Sequence, residues 1–155
     1  MTFDVDHFKL LPGIYVSDIQ KVGNVRIVTL DFRVCRPNVS YMFGNTAHTV
    51  EHVLAYFFTK AIDKYKGMHK VYWGPMGCMT GFYLVIALEP SLSSFRDWKV
   101  KLINAIIEAV TNALKTKYIP GCSPQECGRF YDLKWTGEVE EVLKTIWRYA
   151  CELLS

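Results

Sequence analysis

The chain has no hydrophobic run that approaches the ~20 residues needed to cross a membrane as a helix. Its first residues also lack the basic and apolar pattern of a secretion signal, since Asp4 and Asp6 place two acids there. The sequence therefore predicts a cytoplasmic protein that makes no membrane contact.

A strong excess of one charge is missing too. The chain carries 18 basic and 15 acidic residues, for a formal net charge of +3. The two signs are spread evenly, which does not favour a nucleic-acid partner. No repeat, low-complexity stretch or linker interrupts the 155 residues, of which 50% are hydrophobic. A chain of this length and composition suits one globular domain, so we predict a single domain over residues 1–155.

The cysteines do not form the even set that disulfide-stapled secreted proteins carry. There are 5 of them, and no secretion signal accompanies them. We therefore interpret them as free thiols, which can be metal ligands, catalysts or core residues. They are Cys35, Cys78, Cys122, Cys127 and Cys151.

The hydrophobic pattern predicts an α+β protein with a mostly antiparallel sheet and helices packed on one face. Residues 79–88 form a strand that is apolar on both faces, so we expect it to be covered on both sides. The apolar arc of the helix at residues 90–115 is wider than one sheet face covers, which favours a homodimer. The predicted strands are residues 24–34, 70–73 and 79–88, and the predicted helices are residues 46–65, 90–115 and 138–154.

The segment His48-Thr49-Val50-Glu51-His52 lies within the predicted helix at residues 46–65. Residues four apart share a helix face, so His48 and His52 can present two imidazoles to one divalent metal. Glu51 can reach the same ion and act as a base. The rest of this helix is apolar, where two histidines without partners would cost free energy. The segment therefore predicts a metal site with an adjacent carboxylate.

A catalytic metal usually has three protein ligands and one open position, so a third ligand is expected. The local sequence leaves several candidates open, namely a cysteine, His7, His69 or an acid. Cys127 follows a turn-rich loop and precedes Gly128, whereas Cys78 lies in a turn that leads into a strand. Spacing alone does not decide whether either thiol is a ligand, a reactive group or a structural residue.

Five separated blocks together resemble the LuxS family of S-ribosylhomocysteine lyases over nearly the whole chain. Their order and spacing fit the family, and such a combination is far more specific than any one motif. The blocks are Phe3-Asp4-Val5-Asp6-His7, Asp31-Phe32-Arg33-Val34-Cys35-Arg36-Pro37-Asn38, His48-Thr49-Val50-Glu51-His52, Gly74-Pro75-Met76-Gly77-Cys78-Met79-Thr80-Gly81-Phe82-Tyr83 and Glu126-Cys127-Gly128.

The resemblance implies a role for each matching residue. His48, His52 and Cys127 match the three ligands of one divalent metal per subunit, natively iron(II) and replaceable by zinc or cobalt. Glu51 and Cys78 match two acid/base groups. The family is homodimeric, with its active sites at the subunit interface. The residues that match the substrate site are Arg33, His7 and Thr2, the last in place of the family's usual serine.

The resemblance further implies that S-ribosylhomocysteine is cleaved to homocysteine and 4,5-dihydroxy-2,3-pentanedione, the precursor of autoinducer-2. The expected chemistry is two carbonyl migrations and a β-elimination. A divalent metal is the Lewis acid, and Glu51 and Cys78 move the protons. Such products link the reaction to quorum sensing or to recycling in the methyl cycle that regenerates methionine.

Two further positions depart from the family pattern. Tyr72 stands where an aspartate is common, and Thr59 stands where an arginine is common. These departures bear on substrate recognition and leave the metal segment untouched. Arg33 shares a strand face with Asp31, so a plain surface ion pair is an alternative interpretation of Arg33.

Two other functions could use the same helix. The H-x-x-E-H pattern also occurs in zinc peptidases, although a cysteine as third ligand is unlike their usual carboxylate. A non-catalytic, metal-stapled binding module would have a closed site with Cys78 as the fourth ligand. Metal geometry separates these alternatives, because an enzyme needs an open position at its metal.

Overall fold

The computed structural model describes residues 4–92 and 95–155. Its four strands form one sheet in the order β1-β2-β4-β3, and all neighbouring strands are antiparallel. The predicted α+β class is therefore confirmed. Thr2, which the sequence predicts at the substrate site, lies outside the described residues. The strands are β1 (Gly13–Val22), β2 (Val25–Arg33), β3 (Met68–Pro75) and β4 (Gly81–Leu88), and the helices are α1 (Gly44–Ile62), α2 (Phe95–Thr116) and α3 (Gly137–Leu154), with a 3-10 turn at Phe130–Asp132.

The core lies between the helices and one face of the sheet. Alternate residues of β2, such as Phe32, pair with buried residues of β4 and are fully buried. Helix α1 covers this face, since the ring of Phe58 lies 6.0 Å from Phe32 and 4.8 Å from Trp73. The intervening residues of β2, among them Asp31 and Arg33, must point to the opposite side of the sheet.

The opposite face of the sheet is less covered within this chain. Tyr83, Val85 and Ala87 of β4 are only partly buried, whereas their neighbours Leu84 and Ile86 are fully buried. The described residues of one chain thus cover β4 completely on one side only. Full cover of the second face of β4, which the sequence predicts, would have to come from outside these residues.

Strand β1 is an element that the hydrophobic pattern does not predict. Most of its side chains are exposed, so its sequence lacks the alternation that marks a half-buried strand. The usable signal is the turn instead, because Val22 pairs with Val25 across a two-residue loop that contains Gly23 at φ 59°. None of the helices among the described residues combines the length and the hydropathy of a membrane span.

Candidate metal centre

Helix α1 presents His48 and His52 on one face. Their ring centroids are 4.9 Å apart, as expected for positions one turn apart, and both side chains are partly buried. The predicted helix at residues 46–65 is shifted by two to three residues toward the N-terminus in the structure, at Gly44–Ile62. That shift leaves the two histidines well inside the first half of α1, where their spacing is fixed.

Cys127 approaches these histidines from the loop between α2 and α3. A turn brings it there, in which the backbone N–H groups of Glu126 and Cys127 donate to the carbonyl of Ser123. The Cys127 Sγ lies 3.3 Å from His48 Nε2. One ligand atom from each of His48, His52 and Cys127 can be chosen so that all three lie within 4.8 Å of one another. The structure therefore assembles a His-His-Cys group that can hold a metal.

The outer ring nitrogens of both histidines are already occupied. His52 Nδ1 lies 2.9 Å from the carbonyl oxygen of Pro120, which can only accept, so Nδ1 must carry the proton. His48 Nδ1 lies 3.2 Å from a carboxylate oxygen of Asp132 in the same way. Each Nε2 is then left with a lone pair, which is the arrangement that metal-binding histidines usually show.

The separation of one nitrogen and the sulfur in this group fits a tetrahedral metal. With metal–nitrogen bonds near 2.0 Å and a metal–sulfur bond near 2.3 Å, neighbouring nitrogen and sulfur ligands are roughly 3.5 Å apart. The observed separation of His48 Nε2 and Cys127 Sγ is 3.3 Å. Within residues 4–92 and 95–155, no further His, Cys, Asp or Glu belongs to this group. A metal here would keep an open position for a substrate.

Gly121 allows the loop to come this close to the helix. It has φ +68°, and a Cβ added there would lie 3.0 Å from Nδ1 and 3.2 Å from Cε1 of His52. A side chain at position 121 would therefore both strain the backbone and press on the imidazole. The glycine thus lets the neighbouring Pro120 carbonyl orient His52.

A cavity of about 490 Å³ opens beside the His-His-Cys group. Its volume suits a small-molecule ligand. Glu51, one turn from His48, faces this cavity, as the sequence analysis expects of a base beside the metal. Among the residues that line it are His48, Glu51, Pro75, Met79, Arg129 and Asp132.

Cys78 belongs to a second group, on the side of the sheet away from α1. The Arg33 guanidinium, only 1% exposed, donates from Nη1 to Thr80 Oγ1 at 2.6 Å and lies 3.8 Å from Cys78 Sγ. Its Nη2 donates to Asp31 Oδ2 at 2.8 Å. The ion pair of Arg33 with Asp31 exists but is buried, so the interpretation as a surface pair is wrong. Hydrogen bonds to Thr80 and Asp31 thus hold the guanidinium beside the Cys78 thiol.

The surroundings of Cys78 favour the thiolate. Partial burial raises the pKa of Cys78, but hydrogen bonding by Thr80 and the charge of Arg33 outweigh it, so the pKa lies below its ordinary value. Thr80 Oγ1 is 3.0 Å from Cys78 Sγ. This oxygen accepts from Arg33, and the Thr80 hydroxyl can donate its own proton to the sulfur when Cys78 is a thiolate. A thiol with a lowered pKa is better suited to proton transfer near neutral pH.

Other sequence candidates are placed more simply. His7 lines a cavity of about 430 Å³ together with Cys78 and Thr80, so it joins the Cys78 group. His69 lies 3.7 Å from Glu89 at the exposed surface and is not part of the His-His-Cys group. Cys78 and Glu51 line different cavities. Because Arg33 alternates with Phe32 along β2, the Cys78 group lies on the side of the sheet that α1 does not cover.

Sequence reasoning missed two residues of these groups. Thr80 follows Cys78 at a spacing of two, but Met79 between them has φ 59° in the turn before β4, so strand alternation does not mark the pair. Asp132 lies 84 positions from His48 in the chain, and no local pattern marks it as the partner of that histidine. Contacts of this separation depend on the tertiary fold.

Replacing Thr80 by valine should raise the pKa of Cys78, because the hydroxyl that hydrogen-bonds its sulfur is lost. Alkylation of Cys78 by iodoacetamide at neutral pH should slow by roughly three- to tenfold. Mass spectrometry of the Cys78 peptide measures this rate. Thr80→Ser keeps the hydroxyl and should react like the wild type. An unchanged or faster rate in Thr80→Val would contradict this role for the hydroxyl.

Comparison with known proteins adds a family. A family model described as S-Ribosylhomocysteinase (LuxS) matches residues 1–148. An S-ribosylhomocysteine lyase from Desulfotalea psychrophila is 40% identical over 137 residues, which cover 85% of this chain and 80% of that protein. One from Finegoldia magna is 36% identical over 134 residues, or 85% of this chain and 79% of that protein. One from Borreliella burgdorferi is 37% identical over 134 residues, or 83% and 78%.

Proposed function

The chain belongs to the LuxS family of S-ribosylhomocysteinases, which are carbon–sulfur lyases, and on this premise we propose how its own residues perform the reaction. The substrate is S-ribosylhomocysteine, and the products are homocysteine and 4,5-dihydroxy-2,3-pentanedione, the precursor of autoinducer-2. The observation that carries the proposal is the His-His-Cys group with Glu51 beside it at a cavity. The proposed unit is one domain over residues 1–155, and the family match covers residues 1–148.

His48, His52 and Cys127 are the proposed ligands of one divalent metal per subunit. Imidazole and thiolate donors suit iron(II), zinc and cobalt, and we propose iron(II) as the native ion with the other two as substitutes. The bound ion supplies Lewis acidity that makes the protons beside the sugar carbonyl easier to remove. Asp132 and the Pro120 carbonyl keep both imidazoles in the tautomer that binds metal.

Glu51 and Cys78 are the proposed proton-transfer groups. In each carbonyl migration, one group removes a proton from the hydroxyl-bearing carbon beside the carbonyl, and a proton is added to the former carbonyl carbon. The hydroxyl oxygen gives up its proton and the former carbonyl oxygen takes one up, so the carbonyl moves by one carbon. In the last step a base removes a proton from the carbon that lies between the carbonyl and the carbon bonded to sulfur. The carbon–sulfur bond then breaks, its electron pair leaves with homocysteine, and the sulfur takes up a proton. Arg33 and Thr80 favour the thiolate form of Cys78, which can act as the base.

Arg33 and His7 also shape the proposed substrate site on the Cys78 side, and Thr2 is proposed to join them. Arg33 is held rigidly by Asp31 and Thr80, which suits it to orient a ligand near the thiol. His7 lines the same cavity, and its Nδ1 lies 2.8 Å from the Val5 carbonyl oxygen. A rigid buried guanidinium costs little entropy when the substrate arrives, so it can contribute to alignment of the sugar.

We further propose a homodimer, in which the Cys78 cavity of one subunit faces the metal cavity of its partner. Two observations support it. The metal group lies on the α1 side of the sheet, whereas Cys78 and Arg33 lie on the other side. The rim of the Cys78 cavity includes Val39 and Tyr41, which are 72% and 71% exposed. Large apolar side chains at a functional cavity are typical of a surface that a second subunit covers.

A mixed-dimer experiment tests this arrangement. Glu51→Gln and Cys78→Ala homodimers should both be inactive, since each lacks one proton-transfer group. If the two groups come from different subunits, mixed dimers contain one intact site, and a random mixture should recover roughly a quarter of wild-type activity. Recovery should require subunit exchange and fail when the dimers are cross-linked before mixing. A mixture without activity would place both groups in one subunit.

Thiol release from S-ribosylhomocysteine by the metal-loaded protein tests the function itself. Homocysteine identified by mass spectrometry is the expected product, and its absence with metal-replete protein would end the lyase proposal. A zinc peptidase would instead cleave peptides and release no thiol.

We also propose a cytoplasmic location, because all five cysteines are unpaired thiols.

A further inference from the structure

Lys70 reaches from strand β3 onto helix α1. Its Nζ donates to the Ala55 carbonyl at 2.8 Å, and the Thr59 hydroxyl donates to the same oxygen at 2.8 Å. Glu51, Ala55 and Thr59 follow one another at intervals of four along a single face of α1. The Lys70 ammonium therefore binds a residue on the face of α1 that carries Glu51, and that residue lies about 6 Å farther along the helix axis.

The position of Lys70 in the sheet is unusual for a charged residue. It pairs with Ile86, which is fully buried, so it belongs to the face that the helices cover. A β-bulge follows it before Tyr72 and re-aims the strand at this point. Lys70 thus carries a positive charge in the space between β3 and α1.

The Lys70 ammonium has spare hydrogen-bonding capacity. Burial lowers the pKa of Lys70, although the carboxylates of Asp63 and Glu51 favour its charged form. Within residues 4–92 and 95–155, neither carboxylate comes within ion-pair distance of it, and its hydrogen-bond acceptor is the neutral Ala55 carbonyl. An ammonium has three donors, and because Lys70 is partly buried, an anion would stabilise its charge. This arrangement favours an anionic group of a ligand as the missing partner.

We propose that Lys70 binds the amino-acid carboxylate of S-ribosylhomocysteine and thereby selects substrates that carry it. This inference rests on the proposed function, which places the sugar at the metal and Glu51. The homocysteine part extends from the sugar by a short alkyl chain and ends in a carboxylate. That chain runs along α1 past Ala55, and the carboxylate meets the ammonium. Lys70 is a substrate-binding residue that sets specificity and moves no proton.

The test compares S-ribosylhomocysteine with the analogue in which hydrogen replaces the amino-acid carboxylate. For the natural substrate, Lys70→Met should raise KM by about tenfold or more, since a charge-assisted hydrogen bond is lost, while kcat stays within about twofold. For the analogue, wild type and Lys70→Met should have the same KM. Lys70→Arg should recover part of the discrimination. Lys66→Met, which removes an exposed lysine from the preceding loop, is the matched control and should behave like wild type.

Three results would overturn the inference. One is a wild-type enzyme that does not distinguish the two substrates, which needs no variant. Another is a Lys70→Met enzyme with a lowered kcat, or with an equal fall in kcat/KM for both substrates, as expected if Lys70 acts through Glu51. The third is a Lys70→Met protein that has wild-type kinetics and aggregates more. That result would mean that Lys70 protects the edge strand β3 from pairing with other chains. Metal content and thermal unfolding are measured for every variant, and Lys70→Gln repeats the test should the methionine variant misfold. If the wild-type protein releases no homocysteine, the proposed function fails first.

Discussion

Cys78→Ala should lower kcat for homocysteine release by roughly 10²- to 10⁴-fold, the range in which a positioned proton-transfer group usually contributes. The thiol is held by Thr80 and Arg33 in a state that favours its anion, and alanine offers no group to replace it. Metal content should stay at the wild-type level, because Cys78 lies outside the His-His-Cys group. Thiol release and elemental analysis of the same preparation measure both quantities.

Cys122→Ala is the matched control for this variant. Cys122 is an exposed thiol of the loop that carries Cys127, and its Sγ makes a long contact of 3.9 Å with the Leu133 carbonyl. Its replacement should change neither kcat nor metal content. Loss of the metal in Cys78→Ala would reverse the assignment, since it would make Cys78 a fourth ligand of a closed site.

Cys127→Ala should lose the metal. Removing an outer hydrogen-bond partner of a ligand costs roughly 10- to 100-fold in metal affinity, and removing a ligand atom should cost more. Turnover should fall to background as the metal is lost, because the His-His-Cys group keeps only two of its three ligand atoms. Titration of the metal-free protein with zinc or cobalt, followed by fluorescence of a competing chelator, measures the affinity.

The same variant should also lose stabilisation by metal. A ligand that binds only the folded state raises its unfolding free energy as the ligand concentration rises above Kd. Added zinc should therefore raise the unfolding temperature of the wild type and of Cys78→Ala, but not of Cys127→Ala. Tight metal binding by Cys127→Ala together with metal loss by Cys78→Ala would exchange the roles of the two cysteines.

The metal helix could be predicted because its information is local. The spacing of His48 and His52 fixes their relation as soon as α1 forms, and the apolar residues around them predict that helix. The strand at residues 24–34 is equally visible through alternation, and it lies at Val25–Arg33. Patterns of this kind depend only on neighbours within one or two turns of a helix or along one strand.

The choice of third ligand could not be made from spacing, because Cys127 is 79 positions from His48. The family resemblance selected it, and the loop that delivers it depends on Gly121 and on the turn at Ser123. The burial of Arg33 was missed for a related reason. Its strand position predicts which side of the sheet it faces, but only the tertiary fold shows that this side is closed by Thr80 and Cys78.

Anomalous scattering from a crystal of the metal-loaded protein tests the central claim most directly. Data collected at the absorption edge of the bound ion locate that ion and show its ligands. The account predicts one site per chain, bonded to His48 Nε2, His52 Nε2 and Cys127 Sγ, with no fourth protein ligand. An ion bonded also to Cys78, or found away from the two histidines, would contradict it.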